Sequence, residues 1–473
     1  MLYEALYKLY LITALKNGIT DIISYEDFKK TTTEVYELTY KKYYPDLDLE
    51  KSSVADFEGK TDTETIIQYV VSHHCNKLKK DNSFCRSHKE QIVRKPYFAG
   101  KRYACIAPYR TLRFEFNGNM TVCCVNKYHV IGTYPENSPM EAWEGNRLAM
   151  LRRAVANYDL HLGCQTCMHQ ILIGNEMNTM MEAANSQDES LNSKKACIQS
   201  EKKYPAELTF QLQNNCNYEC IMCSGEYSSS ICKNRDGKLP PPSVYDDSFI
   251  EKITPFLQHA ESCNFLGGEP FLISIYYKMW DIIRDINPNC AVNITSNGSI
   301  YTKKIEDILS NLPNARIIIS LDSLVPETYA YIRRRGDLNV VLNNIEKFLA
   351  TKKLTCLAVC PIIQNVYEIP NFIKFCAKRN INIWFNNVTD IISDNDTYHY
   401  KDLYENGIAE NTNKVVYNED RINEFRLWTL PQKEKIKIKN ELCSHSYPLE
   451  YQTKVTSFIN FLLNYSRDTA PKE

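Results

Sequence analysis

The strongest constraint on the fold is a change of rhythm at residue 207. From there to about residue 390 the chain alternates short apolar runs with amphipathic helical stretches. The runs are ELTFQLQN (207–214), SCNFLG (262–267), CAVNITS (290–296), ARIIISLDS (315–323), LTCLAVCP (354–361) and INIWFNNV (381–388). Between them lie segments such as FLISIYYKMWDIIRDI and LNVVLNNIEKFLATK, whose apolar residues recur at helical spacing. Strands separated by helices cannot pair as hairpins, so they form a parallel sheet with crossover helices. Six such units predict an α/β fold, a partial (βα)6 TIM-like barrel over 207–390. Ligands of such sheets sit at the carboxyl ends of the strands.

The flanking regions read differently. Residues 1–95 carry helical apolar spacing (Leu2, Leu6, Leu9, then Ile66, Ile67, Val70) and few strand signals. In 96–172, RTLRFEFNGNMTVCCVN alternates polar and apolar residues on both sides of Asn117-Gly118-Asn119, a hairpin signal. SPMEAWEGNRLAMLRRAVAN follows with a Ser-Pro helix start. Residues 173–206 are polar and read as a linker, and 391–473 as a mostly helical C-terminal region. A formal net charge of −1 gives no field that would draw nucleic acid or an anionic membrane. The N-terminal apolar run is broken by Glu4, Lys8 and Lys16, so the expectation is a cytoplasmic protein with no membrane or nucleic-acid partner.

Eighteen cysteines in a chain without a secretory signal imply reduced thiols. Two groups have ligand-like spacing: Cys216, Cys220 and Cys223 in CNYECIMC, and Cys105, Cys123, Cys164 and Cys167 upstream. The first follows the first barrel strand directly and so lies on the rim where ligands bind. Three thiolates on an iron-sulfur cluster leave one metal position open, whereas four close a cluster or a tetrahedral zinc site. Others, including Cys75, Cys85, Cys197, Cys232, Cys263, Cys290 and Cys376, read as small core residues. His161 and His169, beside Cys164-Gln-Thr-Cys167, and Cys443 with His445 read as surface or packing residues.

The C-x3-C-x2-C spacing, with Met222 before the third cysteine, a strand before it and a barrel after it, resembles the radical SAM superfamily. The resemblance covers about residues 100–390. It implies a 4Fe-4S cluster on Cys216, Cys220 and Cys223 whose open iron takes the amine and carboxylate of S-adenosyl-L-methionine (SAM). A zinc knuckle completed by a distant His or Cys is the alternative. Further matches follow in order. Gly267-Gly268-Glu269-Pro270 corresponds to the motif that meets the methionyl amine. Ser296 and Asn297, then Ser320 and Asp322, suit the ribose and carboxylate of the cofactor; such residues at strand ends also serve as helix caps. Arg333, first of three arginines, would reach the SAM carboxylate, and Asn365 would lie near the ribose.

The upstream group, with Gly118 before Cys123 and a helix containing Trp143, resembles the twitch form of the SPASM auxiliary domain. That implies a second 4Fe-4S cluster, with a four-cysteine zinc as the alternative. Cys124 could replace Cys123, but strand alternation turns it the other way. Here the domain precedes the barrel, whereas in most relatives it follows. Family chemistry implies an enzyme that cleaves SAM reductively to a 5′-deoxyadenosyl radical, with flavodoxin or ferredoxin as electron donor. The substrate expected first is a peptide or protein side chain. A sugar or alcohol dehydrogenase and a non-catalytic iron-sulfur or zinc module are the alternatives. Cys356 and Cys360 are four apart in the fifth strand and share a side. Cys360, at the carboxyl end, is the candidate catalytic thiol, against a packing role for both.

Overall fold

In the computed structural model the described residues are Tyr7, 25–35, 96–126, 129–160, 162–164, 167–168, 171, 179–188, 192, 203–386 and 431–464. Most of the expected N-terminal helical region, much of 173–206, and 387–430 lie outside them, as do His161, His169, Cys75, Cys85 and Cys197. The chain divides into two compact units. One takes in Met1–Phe114, Gly118–Pro205 and Pro471–Glu473, the other Glu115–Asn117 and Ala206–Ala470.

In the first unit, α1 (Tyr25–Val35) is the described part of the N-terminal region. The strands β1 (Thr111–Phe114) and β2 (Asn119–Thr121) pair antiparallel, with Phe114 opposite Met120, and β2 pairs with β3 (Gly132–Thr133). Gly118 takes a positive φ of 90°, as a tight turn between them requires. The expected helix is two: α2 (Pro139–Glu144) and α3 (Asn146–Ala156), broken at Gly145 in extended conformation. Ser138 and Glu141 form a reciprocal capping box at the start of α2. Within the segment read as a linker, α4 (Met180–Asn185) is an ordered helix capped by Thr179 and belongs to this unit.

The second unit holds the barrel. After β4 (Glu207–Phe210) come α5 (Ser229–Asn234), α6 (Asp247–His259), β5 (Ser262–Phe265), α7 (Ser274–Ile286), β6 (Ala291–Ser296), α8 (Lys303–Asn311), β7 (Ala315–Ser320), α9 (Pro326–Ile332), α10 (Leu338–Ala350), β8 (Leu354–Val359), α11 (Ile369–Arg379) and β9 (Asn382–Phe385). All six expected strands are present. They lie in chain order and pair in parallel from β4 to β9. The first is shorter than expected because Leu212 donates its amide to the Tyr276 hydroxyl on α7 (3.0 Å) instead of to a neighbouring strand.

Alternation sorts the side chains. Leu208, Phe210, Cys263, Phe265, Val292, Ile294, Ile317, Ile319, Leu357 and Val359 are buried toward the helices. There Phe265, Tyr276 and Trp280 form an aromatic core with ring centroids 5.0–6.1 Å apart. Full burial of each such side chain is worth about 1.5–3 kcal/mol. The opposite face carries Thr209, Asn264, Asn293 and Arg316, which lie in one register row across four strands.

The C-terminal helices are α12 (Gln432–Cys443) and α13 (Leu449–Asn464). Edge strands expose unpaired backbone groups that invite aggregation, and α13 covers β9 in this way. The Tyr451 hydroxyl donates to the Ile381 carbonyl (2.6 Å), Lys454 Nζ to the Ile383 carbonyl (3.0 Å), and Phe458 stacks on Phe385. Cys443 is exposed. Among the described residues no helix is long and apolar enough to cross a membrane.

Candidate functional site

The loop from Cys216 to Cys223 leaves the carboxyl end of β4 and is tied down on both flanks. On one side the start of α5 holds it. Ser228 Oγ donates to the Tyr218 carbonyl (2.7 Å), and Ser229 Oγ accepts from the Cys216 amide (3.0 Å). On the other side Glu219 and Ile221 donate their amides to the carbonyls of Arg334 and Ile332, both at 3.0 Å. Half-buried Met222 packs on Ile221, Ile332 and Ile362.

The three thiols face one another closely enough to interact. Burial pushes Cys223 up to about 12, with Cys220 and Cys216 adding to the rise. Burial likewise raises Cys220 to about 11, opposed by the Arg333 guanidinium. Clustered buried thiols resist ionisation unless a cation is present, and a metal centre reverses that preference. The donor set therefore fits a cationic iron-sulfur centre. Among the described residues no three His, Cys, Asp or Glu side chains converge tightly enough to share a single metal ion.

Gly267 and Gly268 let the loop after β5 run in backbone contact with the residues that precede Cys216. Gly268 donates to the Gln213 carbonyl (3.2 Å) and Glu269 to that of Asn215 (2.6 Å). A Cβ on Gly268 would lie 2.2 Å from the Asn215 oxygen. Pro270 opens a short 3-10 turn. Glu269 is fully buried: Oε2 accepts from the Asn297 amide (2.7 Å), and Oε1 from Ser296 Oγ (2.9 Å) and the Phe271 amide (3.2 Å). Burial raises its carboxyl to about 7 despite those three donors. Asn297 Nδ2 continues to Asn217 Oδ1 on the cysteine loop (2.9 Å).

Asp322 is the other hub. Its Oδ2 accepts from Arg333 Nε (2.6 Å), its Oδ1 from the Cys360 amide (2.7 Å), and its carbonyl from Asn365 Nδ2 (2.7 Å). Arg333 Nη1 also lies 3.9 Å from Cys220 Sγ. Asn365 closes the turn, donating to the Cys360 carbonyl (3.0 Å) and accepting from the Ile362 amide (2.8 Å). Ser320 sits half-buried at the end of β7. Cys356 pairs in register with Ile318, and Ala358 with Ser320, so Cys356 shares their face. Cys360 follows just beyond the strand at the rim. Arg335 instead bonds Glu219 at the surface (2.9 Å).

The first unit gathers the other thiols. Asn185, buried on α4, brackets Cys105: its Oδ1 accepts from the Ile106 amide (3.0 Å) and its Nδ2 donates to the Ala104 carbonyl (2.9 Å). Asn126 Nδ2 donates to the Leu162 carbonyl (3.1 Å) and reaches Cys164 Sγ (3.4 Å). Burial raises the thiols of Cys105, Cys164 and Cys167, the neighbouring Cys124 and then burial raise that of Cys123, and Cys167 acts on the other three. Cys124 does not turn away. It hydrogen-bonds Cys123 and acts on Cys167, because β2 ends at Thr121 and strand alternation no longer applies.

Ser228, Ser229, Asn217, Tyr276, Asn126 and Asn185 had not been singled out. Ser228 carried a signal, a serine three residues before Ile231 at a helix start. The rest act through contacts distant in sequence.

Residues 210–376 match the radical SAM superfamily, and residues 105–168 the SPASM iron-sulfur cluster-binding domain. A probable GTP 3′,8-cyclase of Methanocaldococcus jannaschii is 27% identical over 212 residues, 44% of this chain and 68% of that protein. The sporulation killing factor maturation protein SkfB of Bacillus subtilis is 27% identical over 175 residues, 37% of this chain and 40% of that one. A GTP 3′,8-cyclase of Limosilactobacillus fermentum is matched over 51% of its length, so the chain spans about half the length of several curated relatives. The crystal structure of Streptococcus suis SuiB bound to S-adenosylmethionine aligns with a TM-score of 0.35 at 16% identity, covering 59% of this chain and 64% of that one. The chain belongs to the radical SAM superfamily of enzymes and carries a SPASM-type iron-sulfur cluster-binding domain before its barrel in sequence.

Proposed function

We propose that this radical SAM enzyme abstracts hydrogen from a peptide or protein side chain. Cys216, Cys220 and Cys223 hold the SAM-binding 4Fe-4S cluster, and Cys105, Cys123, Cys164 and Cys167 a second, auxiliary one. Once reduced by a flavodoxin or ferredoxin, the first cluster and bound SAM supply a 5′-deoxyadenosyl radical. The chain's own residues bind and orient. Glu269 offers a buried carboxylate to the methionyl amine, and the Gly267-Gly268 backbone sets its height beside Cys216. Ser320 and Asn297 face the nucleoside, while Ser296, Asp322 and Asn365 fix the loops that carry those contacts. Cys360 stands at the rim as the candidate hydrogen donor.

One observation carries the substrate class. The face of the sheet opposite the helices presents carboxamides and a hydroxyl in register, Thr209, Asn264 and Asn293, in a row that Arg316 completes on β7. Asn264 Nδ2 donates to Thr209 Oγ1 (3.2 Å) and Asn293 Nδ2 to Asn264 Oδ1 (2.9 Å). The carboxamides and hydroxyl can pair with the amides of a peptide, and Arg316 would suit an anionic group of a peptide or of a small molecule. A small-molecule substrate is the second reading, favoured by the cyclase relatives.

Anaerobic reconstitution should give about eight irons per chain, four for each site. Changing Cys216, Cys220 and Cys223 together to Ala should remove half of them and abolish release of 5′-deoxyadenosine. A triple variant that keeps its iron, or wild-type protein holding stoichiometric zinc, overturns the assignment. Peptide co-purifying with the wild type supports the first substrate reading, and turnover of a sugar, alcohol or nucleotide the second.

A further inference from the structure

We infer that Arg333 is a positioning residue for the cluster, acting on the Cys220 sulfur as a fixed cation held by Asp322. This rests on the cluster assignment proposed above and adds a role that the family motif does not give the arginine.

The placement begins in the backbone. Arg333 ends α9, and the amides of Glu219 and Ile221 bond the carbonyls of Arg334 and Ile332 on either side of it. Those two bonds set Arg333 directly opposite Cys220. The side chain then has little freedom. It is 12% exposed, and its Nε donates at 2.6 Å to an Asp322 carboxylate that is fully buried. Asp322 is itself fixed, because Oδ1 takes the Cys360 amide and its carbonyl takes Asn365. With Nε anchored, the planar fork directs Nη1 at Cys220 Sγ, 3.9 Å away.

A buried guanidinium beside a ligand sulfur does two things. Its charge, little screened at this depth, stabilises the extra negative charge of the reduced cluster. Its N–H draws density from the sulfur. Both raise a cluster's reduction potential, and hydrogen bonds to the sulfurs together with net charge are the protein's main means of setting it. Asp322 works against part of this effect while holding the cation in place. The pair therefore moves the potential in opposite senses when either member loses its charge.

The test is an EPR-monitored redox titration of the reconstituted full chain with dithionite as one-electron donor, without SAM. Arg333→Gln should shift the midpoint of the Cys216/Cys220/Cys223 cluster to lower potential, and Arg333→Lys should restore part of the shift. Asp322→Asn should shift it upward. The auxiliary cluster should not move. Unmoved midpoints, or shifts of the same sign in Arg333→Gln and Asp322→Asn, overturn the inference. So does an unmoved midpoint in Arg333→Gln with loss of SAM binding, which would leave Arg333 serving the cofactor alone. Should Arg333→Gln take up no iron, the direction of the Asp322→Asn shift decides. A wild-type cluster signal that survives the triple cysteine variant would sink the cluster assignment itself, and this inference with it.

Discussion

Glu269 Oε2 accepts the backbone amide of Asn297 at 2.7 Å, so the loop after β5 holds the loop after β6 through a buried carboxylate. Asn297 passes the link to Asn217, and thus three successive loops on one rim share a hydrogen-bonded chain. A buried carboxylate is an expensive way to join loops. The cost shows in its ionisation: burial lifts Glu269 from 4.5 to about 7, although three donors oppose the rise.

That displacement predicts a pH dependence. Between pH 4.5 and about 7 the unfolded carboxyl ionises while the folded one keeps its proton, so this group's contribution to stability falls as pH rises through that window. The loss is of order 3 kcal/mol, about 1.4 for each unit of displacement. Metal-free Glu269→Gln should therefore gain on the wild type when pH is raised from 5 to 8. Urea unfolding midpoints at the two pH values measure it, and a constant difference between the proteins would refute the buried charge.

Gly268→Ala tests the close approach itself. The added methyl would lie 2.2 Å from the Asn215 oxygen and 2.6 Å from that of Asn214, both backbone atoms that cannot swing aside. Relief requires breaking the pairing of 267–269 with 213–215, and we expect a loss above about 4 kcal/mol. Gly237→Ala is the control. It has a positive φ but nothing within 4 Å, so only about 1 kcal/mol of backbone strain is expected. Similar unfolding midpoints for the two variants would show that Gly268 is not crowded.

Much of this arrangement was legible beforehand, for physical reasons. The six strands announce themselves because a parallel strand buried on its helix side must be apolar there, as Ile317 and Ile319 are. The cysteine groups were visible because metal ligands come in short local spacings. What spacing does not encode is the partner across the fold. Arg333 was read for its charge, and its pairing with Asp322, eleven residues away, appears only once α9 packs back on the rim. The polar tract containing Asn185 resembled a linker because the bonds that order it, from Asn185 and Asn192, close on residues about 80–90 positions earlier.

Asn185 is accordingly a strong handle on the auxiliary group. Replacing it with Ala leaves the Ile106 amide and the Ala104 carbonyl buried without partners, each costing about 1–3 kcal/mol. Asn185→Asp keeps the shape but sets an acceptor against the Ala104 carbonyl. Both variants should lose iron from the Cys105 group and keep that of Cys216, Cys220 and Cys223. Iron content and EPR spectra distinguish the sites, and full wild-type occupancy in both variants would dismiss the bracket as incidental.

Cys360 is the last case, and its surroundings narrow what it can do. Burial and the Asp322 carboxylate push its thiol above the ordinary range, with Arg333 opposing only in part. At neutral pH the sulfur therefore keeps its proton. A nucleophile needs the thiolate, whereas a donor of hydrogen atoms needs the S–H bond intact, so this setting suits the second role; the thiyl radical left behind would regain the thiol by taking one electron from the flavodoxin or ferredoxin donor and one proton from solvent. Its amide is held by Asp322 and its carbonyl by Asn365, which fixes the thiol's base at the rim. Cys360→Ala should keep both clusters and release 5′-deoxyadenosine while failing to form normal product. Cys360→Ser should fail in the same way, because a hydroxyl fills the space but does not yield a hydrogen atom readily. In heavy water the wild-type product should carry one solvent deuterium, and the variants should not introduce it. Normal product from the Ser or Ala variant would reduce Cys360 to packing at the end of β8.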